Sequence, residues 1–279
     1  MGRDFGSERL PLVHRDHWLG RLRVVSRRTL LAGGVGVATM LTACEDPPPA
    51  PRLPSEDSVV GDITYRTADG FQIVATFTPP GDVLPPWPVV VLLHQFHGTR
   101  AQWSGITPDL LAAGFAVLAP DARAHGQSIG RWTASGDLEI TTDRAGTLGH
   151  WVRDVEAACK WIDLRSEIDG ERLHVGGVSA GANAAWVATG AQLPVRRAVA
   201  VSPRFDTQGL LLGNEIQNFR PSGVLFQTDK SEALQAQALF GRTEEPRHIE
   251  VYDSSGHGMD LLDDRRARRD FVAWFADAR

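Results

Sequence analysis

From about residue 59 onward, short unbroken apolar runs alternate with longer stretches that carry polar residues on one side. Residues 89–93, 115–119, 173–177, 198–201 and 224–226 are such runs. Runs of this length suit the central strands of a parallel sheet, which are covered on both faces and need no polar alternation. Between them, residues 101–113, 147–163, 180–191 and 232–240 read as helices. A last strand at 248–252 precedes a helix at 260–276. Upstream, residues 63–67 and 71–77 are rich in β-branched and aromatic residues and flank Ala68-Asp69-Gly70. Asp-Gly is a turn signal, so this segment is expected to be a β-hairpin. Alternation of strands and helices predicts an α/β fold, a mostly parallel central sheet with helices on both faces.

The first 58 residues do not fit that pattern. Ser26-Arg27-Arg28-Thr29-Leu30-Leu31 sets paired arginines before an apolar stretch, residues 29–43, diluted by Gly33, Gly34 and Gly36. That stretch is shorter than the roughly 18 apolar residues of a bilayer span. A basic region followed by a short apolar one has the form of an export signal, and the arginine pair resembles the twin-arginine type. Leu41-Thr42-Ala43-Cys44 resembles a lipoprotein box, which implies an acylated Cys44 as the mature N-terminus. The Pro-rich run at 47–54 favours extended geometry and reads as a spacer. The expected organisation is thus an export signal (1–43), a lipidated cysteine and linker (44–58) and one α/β domain (59–279), held at the bacterial cell envelope by its lipid.

Composition narrows the classes of function. The chain has 279 residues, 42% hydrophobic and 23% charged, ample for a single core. A net charge of -5 gives no reason to expect a nucleic-acid partner. With only Cys44 and Cys159, a disulfide framework is excluded, and Cys159 is expected to be a buried small apolar residue.

Candidate chemistry centres on Gly177-Val178-Ser179-Ala180-Gly181, which fits G-x-S-x-G between an apolar strand and an Ala-rich helix. In that setting a serine sits on a tight strand-to-helix turn with its hydroxyl presented at the sheet edge. A serine needs a base, and His257, in Ser255-Gly256-His257-Gly258 after the last strand, is in the expected place. A carboxylate between them in chain order should hold the imidazole. Asp229, just past the 224–226 strand, is the favoured acid, with Asp206 as rival; Glu232 is ranked lower because it is assigned to the following helix. An oxyanion hole needs two backbone N–H groups. Ala180 supplies one, and the loop His94-Gln95-Phe96-His97-Gly98 the other, through Phe96 or, alternatively, Gln95. His94 and His97 lack a carboxylate or cysteine nearby to complete a metal site, and no cofactor is expected.

These segments together resemble the α/β-hydrolase family, with greatest similarity to small serine esterases and dienelactone-hydrolase-like proteins. Asp121-Ala122-Arg123-Ala124-His125-Gly126-Gln127-Ser128 also resembles the family's D-x-R-G-x-G-x-S stretch, with Ala124 in place of glycine, and His94-Gln95 stands where many members carry His-Gly. The resemblance implies an esterase acting on a small acyl substrate through Ser179, His257 and Asp229. A peptidase, thioesterase or acyltransferase of the same fold is the alternative, as is a non-catalytic binding lipoprotein. Residues 131–149 and 207–221 are expected to cap the pocket, and Trp103 and Trp132 are candidates to line it.

Overall fold

A computed structural model describes residues 61–191, 193–205, 223–253 and 256–276. The expected signal, Cys44, the Pro-rich spacer, Asp206 and segment 207–221 lie outside the described residues.

The hairpin forms as its composition requires. Strands β1 (Gly61–Arg66) and β2 (Phe71–Thr78) pair antiparallel with Arg66 opposite Gln72. At the turn Gly70 has φ 91°, and a methyl group there would meet the Trp132 carbonyl oxygen at 2.2 Å, so only glycine fits. The parallel core follows: β3 (Trp87–Leu93), β4 (Ala116–Pro120), β7 (Ile168–Val178), β8 (Val195–Val201), β9 (Gly223–Asp229) and β10 (Arg247–Tyr252). The sheet order is β10-β9-β8-β7-β3-β4-β2-β5-β6, where β5 (Gly130–Trp132) and β6 (Leu138–Ile140) form a second hairpin.

Alternate residues of each central strand feed two cores. Val89, Val91, Leu93, Val175, Ala198, Ala200, Val224 and Phe226 pack on one face, under α3 (Trp151–Asp163) and α4 (Ala180–Gly190). Val90, Leu92, Val199, Val201 and Leu225 face the other way, toward α1 (Thr107–Ala112) and α6 (Arg265–Ala276). Both faces being covered explains why these strands read as continuous apolar runs.

Several expected elements differ in detail. Residues 101–113 divide into a 3₁₀ turn, Arg100–Gly105, and α1, whose first turn holds Pro108. Proline cannot donate within a helix interior, so the element restarts there. The final helix likewise divides into a 3₁₀ turn, Gly258–Asp263, and α6. Asp264 accepts the N–H groups of Arg266 and Ala267 at 2.8 and 3.0 Å and starts α6, four residues after the expected helix start. The segment expected as a cap, 131–149, instead extends the sheet: β5 pairs with β2, Phe71 opposite Arg131, and leads into α2 (Arg144–Thr147). Trp103 is 1% exposed and stacks on Phe271 in the core. Trp132 lies on β5, under the Arg66 guanidinium. Cys159 is buried and unpaired, and burial pushes its thiol up to about 12.

Candidate active site

Sheet order fixes where chemistry can occur. From β3 the chain moves to β4 on one side, and later returns to place β7 on the other. Loops leaving the carboxyl ends of β3 and β7 therefore diverge and leave a crevice between them. Leu93 pairs with Gly177, so the loop beginning at His94 and the turn at Ser179 flank that crevice.

The turn at Ser179 is held in a conformation few residues adopt. Ser179 has φ 53° and ψ −116°. Its N–H donates to the Val201 carbonyl at 2.9 Å, tying it to the next strand. The two glycines of the motif are demanded by space. A methyl group on Gly177 would lie 2.1 Å from the Gly181 carbonyl oxygen, and one on Gly181 would lie 2.1 Å from that of Leu93. The backbone is strained at one residue so that a hydroxyl stands free above the sheet.

His257 is brought to that hydroxyl. Ser179 Oγ donates to His257 Nε2 at 2.9 Å, and His257 Nδ1 donates to Glu232 Oε2 at 2.7 Å. This departs from the expectation for the acid. Asp229 is the last residue of β9, nearly buried, and its Oδ1 accepts from Ser231 Oγ at 2.8 Å and from the Glu232 N–H at 2.9 Å. It folds the turn that presents Glu232 and does not reach the imidazole. Helix α5 (Ala233–Phe240) begins one residue later than expected, so Glu232 is its non-helical cap position, and its longer side chain spans the gap. The second Glu232 oxygen faces Arg204 Nη2 at 3.6 Å.

Other contributions carried no sequence motif. Asn183, in the first turn of α4, clasps the Arg204 backbone: its Nδ2 donates to the Arg204 carbonyl at 2.5 Å and its Oδ1 accepts the Arg204 N–H at 3.0 Å. Ser202, at φ 50°, accepts the Gly258 N–H on its Oγ at 2.9 Å, fixing the backbone beside His257. Both are small polar residues that a sequence offers no way to tell from ordinary loop contacts.

The loop after β3 is anchored from below by His94. The Ala122 N–H donates to His94 Nε2 at 2.9 Å, so the proton is on Nδ1, which donates to the Gln95 carbonyl at 2.7 Å. Burial brings this imidazole down to about 4. The Gly98 N–H also donates to the Gln95 carbonyl, at 2.8 Å. With that carbonyl held on two sides, no backbone hydrogen bond involving the Phe96 N–H occurs among the described residues. The Ala180 N–H begins α4, where first-turn N–H groups have no partner within the helix. The Gln95 side chain, present where glycine is usual, lies against Gly258: a methyl group on Gly258 would be 2.5 Å from Gln95 Oε1 and 4.0 Å from Ser179 Cβ.

Beneath the loop, Asp121 accepts from the N–H groups of Arg100 (2.7 Å) and Gln127 (2.9 Å) and pairs with the Arg100 guanidinium. Arg123, fully buried, bridges Asp154 and Asp69, each at 2.8 Å. These residues of the 121–128 stretch brace the crevice floor rather than enter it. Ala124 adopts φ 61°, the left-handed region that explains why glycine is usual there.

Comparison with known proteins identifies the fold. Residues 88–270 match the family model described as the alpha/beta hydrolase fold. Over 175 residues the chain is 25% identical to a pyrethroid hydrolase of Sphingobium wenxiniae, covering 61% of this chain and 57% of that protein, so the match spans less than two thirds of the relative's length. Among solved structures, an esterase from Pyrococcus furiosus superposes with TM-score 0.58 at 18% identity, over 77% of this chain and 91% of that one. A protein assigned to the dienelactone hydrolases from Klebsiella pneumoniae gives TM-score 0.54 at 14% identity, over 77% and 99%. At such identities the likeness is one of fold.

Proposed function

The chain belongs to the α/β-hydrolase family, and from that premise we propose that it is a serine hydrolase cleaving carboxylic esters. The observation that carries this reading is the relay from Ser179 through His257 to Glu232, at 2.9 and 2.7 Å, built on a strained turn.

In this mechanism Ser179 Oγ attacks the acyl carbon while its proton passes to His257 Nε2. The carbonyl oxygen becomes an oxyanion, held by the Ala180 and Phe96 N–H groups. Glu232 keeps the imidazole in the tautomer that can accept, and stabilises its positive charge once it has accepted. The tetrahedral intermediate collapses, the ester C–O bond breaks, and His257 returns the proton to the departing alkoxide. Water then attacks the acyl-enzyme, giving its proton to His257, and the acid leaves as Ser179 recovers its hydrogen. Nothing in these steps calls on a metal or cofactor.

The test is hydrolysis of short p-nitrophenyl esters by the wild type and by Ser179→Ala, with a fluorophosphonate probe alongside. We expect turnover to fall at least about a thousandfold and labelling to vanish in the variant. Equal rates, or labelling that persists, would exclude this nucleophile. The export reading is a separate proposal: Cys44→Ser should release the protein from the membrane fraction, and a mature chain bound there without an acyl group would refute it.

A further inference from the structure

Arg144, the first residue of α2, is a partly buried residue whose guanidinium lies beside the loop that follows β3. Its Nη1 lies 3.5 Å from His97 Nδ1, a long contact. No carboxylate lies within 4.0 Å of it among the described residues. Asp143, its neighbour in sequence, spends Oδ1 on the Gly146 N–H at 2.9 Å. Three neighbouring arginines are matched by carboxylates: Arg100 by Asp121 and Asp62, Arg123 by Asp154 and Asp69, Arg153 by Asp69. A planar guanidinium without a carboxylate partner is suited to bidentate capture of a carboxylate.

The charge is felt at the crevice. Burial holds the imidazoles of both His94 and His125 below their ordinary value; the Arg144 charge adds to this at His125 and, after that of His125, at His94. His97, which Arg144 touches, follows Phe96 directly, and their rings are 4.4 Å apart. Gln95, on the other side of Phe96, packs toward Ser179 across Gly258. The open guanidinium and the nucleophile therefore border the same loop, the one whose N–H faces the acyl oxygen.

We propose that Arg144 selects esters whose acyl chain ends in a carboxylate, such as the half-esters of short dicarboxylic acids. This rests on the serine hydrolase reading above and specifies its substrate class. In this proposal the acyl chain runs along the loop that carries Phe96 and His97 toward the guanidinium, while the carbonyl oxygen is held by Phe96 and Ala180.

The test compares mono-p-nitrophenyl glutarate with p-nitrophenyl valerate, equal in chain length but differing in terminal charge, using the full chain. The ratio of kcat/KM for glutarate over valerate should exceed about ten in the wild type, fall toward one in Arg144→Gln and keep an intermediate value in Arg144→Lys. It should also fall as salt rises. A wild-type ratio near or below one, or a ratio unchanged in Arg144→Gln, overturns the proposal. If Ser179 is labelled by a neutral fluorophosphonate and valerate is cleaved, that result sinks this inference alone. If Ser179 stays unlabelled and neither ester is cleaved, the hydrolase reading fails and this one with it.

Discussion

A single methylene separates Asp229 from Glu232 in chemistry, and it decides which of them meets the imidazole. Asp229 ends a strand with its carboxylate turned onto the following turn; Glu232 begins where that turn finishes. The two roles predict different losses. Glu232→Gln should lower kcat by about 10²–10⁴ because it favours the wrong imidazole tautomer. Asp229→Asn removes only the scaffold under Glu232 and should cost about tenfold or less, measured under identical conditions. Equal losses would mean that the two carboxylates share the task. Ser179 and His257 were legible from sequence because each stands in a glycine-marked turn at a definite place in chain order. The acid was not, since the choice between two carboxylates a few residues apart depends on where a helix starts. The same blindness covers Asn183 and Ser202, whose polar atoms serve backbone groups distant in sequence.

Among the elements, those defined by apolar runs and turn residues were read most faithfully. The parallel strands and the first hairpin follow their runs closely, because burial on both faces leaves little freedom in register. Residues 131–149, expected to cap the pocket, hold two three-residue strands too short to be read from the sequence, which join the sheet through the pairing of β5 with β2. The elbow between β7 and α4 shows how tightly one element can be specified. Gly177→Ala or Gly181→Ala would drive a methyl group into a backbone carbonyl, and each should lower stability by about 1–3 kcal/mol in urea titrations while reducing activity more than tenfold. Gly81→Ala, where nothing lies within 4 Å, serves as control and should leave both unchanged.

For the molecule as a whole, buried histidines set its response to acid. His174 sits in β7 between Phe115 and Phe275, and burial, aided by nearby arginines, holds it down at about 3. His94, at about 4, is held down mainly by burial. A folded-state value below the unfolded one means that the unfolded chain takes up the proton first. Stability is therefore complete above about pH 6.5 and declines as the pH falls toward 4. Each of these histidines should cost about 2 kcal/mol between pH 7 and 5, seen as a falling urea midpoint. His174→Leu should flatten that decline; an unchanged slope would show that His174 is not its source.

The sequence separation within the relay has a consequence for synthesis. Ser179 and His257 stand 78 residues apart, with β8, β9 and β10 between them. At about 5–20 residues per second, a ribosome completes the nucleophile several seconds before its base exists. During that interval the nascent chain holds an inert alcohol, and loss of the segment from β10 onward returns it to that state. Proteolytic loss of the carboxyl end would thus act as an off-switch, and it would also take Phe271 from its stack on Trp103, so tryptophan emission should change along with the loss of activity.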